Sequence, residues 1–128
     1  MTVTTIAGMT GAMQGLHVAL DGPRLPGAPL GAWRWTVRQR MAAVRDALVA
    51  AAGSPDEGWL AARNGTLLRE RTSLLGRLSV LGPLVLESPD VEGVRADLLR
   101  LLADISHHVQ RVHDLAYDDV ELELGGSE

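Results

Sequence analysis

At 128 residues, with 46% hydrophobic residues and a net charge of −4, the chain has the size and composition of one folded domain. It contains no cysteine, which excludes disulfides, thiolate nucleophiles and cysteine-ligated metal centres. It also contains no lysine, which excludes a Schiff-base amine and a P-loop lysine. Since it shows neither a secretory signal pattern nor an apolar run of the roughly 18 residues that a membrane span needs, we expect a soluble cytoplasmic protein with no membrane partner.

The charges are distributed unevenly along the chain. Residues 24–77 contain nine arginines and four acids, whereas residues 78–128 contain three arginines and eleven acids. The two segments can neutralise each other inside one bundle or between two copies of it, or they can be solvated faces that happen to differ. Because the chain is acidic overall and has no recognisable reading motif, we expect no nucleic-acid partner.

Apolar spacing predicts two helices in the first part of the chain. The first is short, and its stripe, at spacings of 4, 3 and 4, consists of Met9, Met13, Leu16 and Leu20. Residues 1–8 lack such a pattern and are expected to fray, and the proline- and glycine-rich residues 21–31 form a loop. The stripe of the second helix consists of Trp33, Val37, Met41, Val44, Leu48 and Ala51.

The third helix is predicted to begin immediately after the second. Gly53 fits the residue that follows a helix, and Ser54-Pro55-Asp56-Glu57 supplies an N-cap, a proline and a capping-box glutamate. So short a link makes the two helices an antiparallel hairpin. The leucine-rich pattern continues to Leu81, and Gly82-Pro83 is expected to end the helix, leaving residues 82–87 as a linker.

Two polar residues interrupt the leucine seam of this third helix. Asn64 and Arg71 occupy seam positions, where burial without a partner costs free energy. We favour an Arg71 side chain that reaches out to solvent over one that pairs with a carboxylate across the bundle.

A fourth helix is predicted from Ser88, with Pro89 in its first turn, to Asp119. Its seam, at alternating spacings of 4 and 3, consists of Val94, Leu98, Leu101, Ile105, His108, Val112 and Leu115. This regularity places His108 on the inward face, with His107 and His113 beside the seam. We favour a core histidine satisfied by Asp104, Arg71 or Asn64. A metal ligand and a pH-responsive or interface histidine are the alternatives.

The predicted fold is an all-α, antiparallel four-helix bundle in a single domain over residues 1–128. Residues 1–8 and 120–128 are expected to be flexible or docking tails. The last segment alternates Val120, Leu122 and Leu124 with acids. It is compatible with a strand added to a partner, an extension of the fourth helix, or a strip docked on its own bundle or on a dimer mate, which we favour.

The end of the fourth helix carries a pattern found in a known family. His108-Val109-Gln110-Arg111 is followed by Asp114-Leu115-Ala116-Tyr117 and by a final Gly125-Gly126-Ser127-Glu128. This order resembles the last helix of small actinobacterial hemerythrin-like proteins, which close on a similar H-x-Q-R, D-L-x-Y and G-G-E pattern. The resemblance implies a four-helix bundle that binds a diiron centre through histidines and carboxylates.

The chain departs from that family where the iron ligands are expected. Arg69-Glu70-Arg71 stands where the third helix of the family has R-E-H, and the second helix contains no histidine. We therefore expect a bundle that has lost its iron, and we hypothesise that Arg71 supplies positive charge where the metal would lie.

The predicted function is binding without catalysis. Catalysis is not expected, because Ser106 beside His107 on a helix offers no oxyanion hole. We expect no cofactor. We expect a regulatory or interaction role with a protein partner, or with a second copy in a homodimer. The alternative is a metal-binding, hemerythrin-like oxygen or redox sensor. Its iron ligands would be His108, Asp104, His17 and Asp21.

Overall fold

The computed structural model describes residues 3–22, 29–52 and 65–126, with side chains at residues 8–22, 29–50 and 65–115. Four helices account for nearly all of these residues, and no strand occurs among them. The helices are α1, Val3–Leu20; α2, Leu30–Ala52; α3, Gly65–Glu87; and α4, Val91–Gly126. The prediction of an all-α four-helix bundle is confirmed.

The helices pack in a ring that follows their order in the chain. Each of α1, α2 and α3 packs against the next helix, and α4 returns to α1. The first turns of α2 lie against the ends of both neighbours, since Trp33 abuts Gly22 after α1 and Arg34 reaches Val85 near the end of α3. Arg95, early in α4, likewise contacts Leu20 at the end of α1. In each of these pairs, the beginning of one helix lies against the end of another.

The apolar stripes meet in one main core, to which all four helices contribute. The stripe of the second helix is buried from Trp33 to Leu48, whereas the side chain of Ala51 lies outside the described residues. In the first helix Met9, Leu16 and Leu20 are buried, and Met13 packs at the edge of the core. The helical period therefore predicts the faces of both helices correctly.

Three helix boundaries differ from the predictions in the first three helices. Helix α1 begins at Val3. The prediction that residues 1–8 fray is therefore wrong from Val3 onward. Helix α2 begins at Leu30, inside the predicted loop. Helix α3 passes through Pro83 and ends at Glu87. Proline removes one backbone hydrogen bond, but the next turn buries Val85, which is 1% exposed, and burial of such a side chain stabilises by about 1.5–3 kcal/mol. The predicted linker over residues 82–87 is therefore helix throughout.

Two arginines satisfy carbonyl groups at the ends of neighbouring helices. Arg34 donates from Nη1 to the carbonyl of Val85 at 2.9 Å and from Nη2 to that of Ser88 at 2.7 Å. Arg95 donates from Nε to the carbonyl of Leu20 at 2.8 Å. The last carbonyls of a helix have no intrahelical partner, so these arginines connect α2 to the end of α3 and α4 to the end of α1.

Helix α4 begins later and ends later than predicted. Its N-cap is Asp90, whose Oδ1 accepts from the amide of Gly93 at 3.0 Å, whereas Ser88 and Pro89 precede the helix. The helix continues past Asp119 to Gly126. Of the three alternatives for the tail, the backbone up to this residue therefore follows the extension of the fourth helix. The side chains of residues 116–126 lie outside the described ones, and partner binding by Val120, Leu122 and Leu124 stays a prediction.

None of the helices in the described ranges is both long enough and apolar enough to cross a membrane.

Candidate functional site: a polar layer in the core

Polar side chains divide the core into two parts. The fully buried residues of the larger part end at Leu74 on α3 and at Ile105 on α4, and the partly buried Val109 packs against them. The smaller part, toward the start of α3, is formed by Leu67 and Val112, with Leu115 packed against them. Between the two parts lie four residues that we call the polar layer: Glu70, Arg71, His108 and Arg111.

His108 lies inside the bundle, as its seam position predicts. It is 2% exposed, and its Nδ1 lies 2.6 Å from Oε1 of Glu70 on α3. The partner differs from the three expected ones. Asp104 pairs instead with Arg77 at 2.7 Å on the surface, and Asn64 lies outside the described residues.

Glu70 receives hydrogen bonds from two side chains of α4. Besides His108, Arg111 donates from Nε to Oε1 at 3.2 Å and from Nη2 to Oε2 at 2.7 Å. Burial acts to raise the pKa of Glu70, but the hydrogen bonds and charges of Arg111 and His108 outweigh it, so that the pKa lies below its ordinary value of 4.5. The carboxylate is therefore ionised at neutral pH and only accepts hydrogen bonds. It follows that His108 carries a proton on Nδ1 and donates it to Glu70.

Arg71 is the second buried residue of the layer. It is 5% exposed, so the expectation that its side chain reaches out to solvent is wrong. It occupies the seam between Leu67 and Leu74, which are both buried. A guanidinium group stays protonated at every physiological pH, and Arg71 therefore brings a permanent positive charge into the core, one residue from Glu70.

The four residues of the alternative metal set do not gather in one place. Asp104 is on the side of α4 that faces α3, where Arg77 holds it. His17 is on the opposite side, in a cleft of about 370 Å³ between α1 and α4 that also contains Met13 and Ser106. Asp21 follows α1 and pairs with Arg95 at 3.3 Å. The contacts described for His108 thus include none of the other three residues.

A diiron centre does not fit the side chains that are described. Such a centre in a helical bundle takes roughly six carboxylate and histidine ligands. Among the described residues, no three histidine, cysteine, aspartate or glutamate side chains lie close enough to hold a metal ion. The nearest pair of suitable residue types is His108 and Glu70, but both oxygens of Glu70 already accept from Arg111.

The remaining two histidines of α4 lie at the surface, beside the seam as predicted. His107 is exposed. His113 is half exposed, lies 4.0 Å from Asp114 and lines a cleft with Thr10 and Gln110. Neither side chain enters the polar layer.

Comparison with family models, with curated proteins and with solved structures found no match to this chain. The hemerythrin-like resemblance therefore stays a prediction.

Sequence reasoning missed Glu70 and Arg111 as members of the site. Each lies next to a seam residue of its own helix, Glu70 beside Arg71 and Arg111 beside Val112, on the edge that meets the other helix. A signal was present in the sequence, since an acid beside the seam of one helix and a base beside the seam of another predict a pair if the helices are neighbours. Only the helix register says which acid meets which base.

Proposed function

We propose that this chain is a cytoplasmic, non-catalytic helical-bundle protein that acts by binding a protein partner. On this proposal it has a hemerythrin-like scaffold in which the polar layer takes the place of the iron ligands. One observation carries the proposal: Glu70 accepts hydrogen bonds from both His108 and Arg111, with Arg71 buried beside it.

The charges of the polar layer favour a bundle without a metal. Arg111 donates to both oxygens of Glu70, and the buried Arg71 adds a second guanidinium group to the layer. A divalent cation at Glu70 would have to displace Arg111 and would be repelled by its positive charge.

The burial of His108 disfavours acid–base catalysis at this position. A general acid or base must reach a proton of the substrate, but His108 is only 2% exposed. The polar layer therefore supports a structural role, in which it fixes how α3 and α4 meet. Function would then depend on the surface of the bundle, and a binding role is the simplest one that uses a surface.

The test is metal analysis of protein purified without a histidine tag, together with an absorbance scan in air. We expect less than one equivalent of iron or zinc per chain, and no absorbance band at wavelengths longer than those of tryptophan and tyrosine. The matched variants are His108→Ala and His107→Ala, which remove a buried and an exposed imidazole from adjacent positions.

Stoichiometric iron or zinc that is lost in His108→Ala and kept in His107→Ala would overturn the proposal. It would favour the alternative function, a metal-binding oxygen or redox sensor that uses His108 and nearby carboxylates.

A further inference from the structure

The outer surface where α3 meets α4 carries an apolar cleft. The cleft has a volume of about 550 Å³. Its apolar part is Gly76, Val80 and Leu81, and its rim is charged, with Arg77, Asp97 and Arg100. Val80 is 66% exposed, the largest fraction among the exposed large apolar residues of the described part, and Leu84 one turn later is 41% exposed. We call Gly76, Val80 and Leu84, with these three charged residues, the Val80 face.

Gly76 and Val80 form a notch and a knob on successive turns of α3. A Cβ atom added at Gly76 would meet nothing within 4 Å, so the backbone is open to solvent at this point. Residues four apart lie on the same face of a helix, and Val80 therefore projects beside the notch. A two-fold axis between the two positions would place Val80 of each copy over Gly76 of the other, so that both notches are filled at once.

The rim residues Arg77, Asp97 and Arg100 carry one net positive charge, which Asp104, the partner of Arg77 beside the cleft, balances. Arg77 pairs with Asp104 at 2.7 Å, and Arg100 pairs with Asp97. A face with two arginines and two aspartates meets an identical face without net repulsion. The same rim would attract neither a strongly acidic nor a strongly basic partner, which argues for a second copy of this chain over a charged peptide.

The two other most exposed apolar side chains of the described part lie outside the clefts described above. Trp35 is exposed on α2 and Val18 on α1. Neither lines one of the clefts described between the helices, and single exposed apolar residues are normal on a protein surface.

We propose that the Val80 face is a homodimer interface, in which the α3 helices of two copies cross about a two-fold axis between Gly76 and Val80. This inference deepens the proposed binding function and rests on it. In this dimer, the apolar cleft of each copy is buried against the other copy. Arg77 and Arg100 of one copy then face the aspartates at the rim of the second copy.

Sedimentation velocity on the full chain, over micromolar to submillimolar concentrations, tests this interface. Gly76→Glu fills the notch with a charged side chain, and because the position is open and glycine is a poor helix former, the monomer fold is kept. Val80→Asp removes the knob. We expect each variant to raise the dimer dissociation constant by at least about tenfold.

The controls are matched in type and exposure. Gly11→Glu introduces the same side chain at another helical glycine with open space around it, and Val18→Asp replaces a valine that is 64% exposed. We expect both to leave the dissociation constant within about twofold of that of the unaltered chain.

Two outcomes overturn the inference. An unaltered chain that stays monomeric over the whole range rules out the dimer. A dimer that the control variants weaken as much as the Val80-face variants lies on another surface, and the proposed binding function then stands while the interface does not. Failure of the proposed function would be seen separately, as stoichiometric metal in the purified protein.

Discussion

The two ends of the core of this bundle hold the helices together by different means. The larger part of the core takes aliphatic side chains from all four helices, such as Leu16, Val37, Leu74 and Leu101. The smaller part contains Leu67 and Val112, from α3 and α4 alone. It is separated from the larger part by the polar layer, in which hydrogen bonds join the same two helices.

This difference separates stability from specificity. Burial of apolar surface is non-directional, and the larger part of the core could tolerate small shifts of one helix along another. A carboxylate that accepts three hydrogen bonds at 2.6–3.2 Å allows no such shift. We infer that the aliphatic part contributes most of the stability and that the polar layer fixes the register of α3 against α4.

The largest expected effect comes from truncating a leucine in each part of the core. Leu101→Ala, at 0% exposure in the larger part, should lower the free energy of unfolding by an amount in the upper half of the usual range of about 2–5 kcal/mol. Leu67→Ala, at 7% exposure, should cost less, because its surroundings can relax toward solvent. Urea unfolding followed by circular dichroism measures both. A larger loss at Leu67 would contradict the ranking of the two parts.

A smaller effect is expected for the contact between His108 and Glu70. A double-mutant cycle with His108→Ala and Glu70→Ala should give a coupling free energy of about 0.5–3 kcal/mol, since the two side chains share a hydrogen bond with one charged partner. The control cycle replaces His108→Ala by His107→Ala, at the exposed neighbour. Coupling that is equal in the two cycles would show that Glu70 does not depend on the buried imidazole.

The ionisation of Glu70 predicts a pH dependence of stability. Because its pKa in the folded protein lies below the ordinary 4.5, the unfolded chain binds more protons at mildly acidic pH, and the stability from this group is full above the ordinary pKa. It is lost as the pH falls from there through the lowered pKa. Unfolding free energies measured across this acidic range should therefore fall less steeply in Glu70→Gln than in the unaltered chain.

The control for the pH experiment is Glu87→Gln, which removes an exposed carboxylate from the end of α3. A Glu70→Gln variant with the same slope as the unaltered chain would mean that this carboxylate gains nothing from His108 and Arg111.

The smallest expected effect belongs to the surface pair of Asp104 and Arg77. Both side chains are at least 40% exposed, and exposed ion pairs contribute from zero to about 1 kcal/mol. Asp104→Asn should therefore change the unfolding free energy by less than about 1 kcal/mol, and added salt should reduce the difference. If Asp104→Asn cost as much as Glu70→Ala, the distinction between the surface pair and the polar layer would fail.

The sequence predicted the buried faces well because the helical period repeats over many turns. The seam of α4 is correct from Val94 to Val112, including its one polar member, His108. The ends of the helices were predicted less well. Gly82-Pro83 is a strong local stop signal, but the burial of Val85 in the following turn outweighs it, and that burial depends on residues distant in the sequence.

The candidate site was predicted only in part. The seam position of Arg71 allows a side chain that reaches out as well as one that stays inside, and the pattern is the same in both cases. Asp104 was a reasonable partner for His108, because it lies one turn away on the same helix. In the structure, however, Arg77 on α3 binds Asp104, and His108 pairs with Glu70 on α3 instead.

The sequence by itself determined that this protein is helical and which stripe of each helix faces inward, since apolar periodicity is a property of each segment alone. Only the tertiary structure decided which charged groups meet. Glu70 and Arg77 lie two turns apart on α3, and Arg111 and Asp104 lie two turns apart on α4. Each acid therefore finds its arginine at one relative position of the two helices, and that position is set by the packing of the whole core.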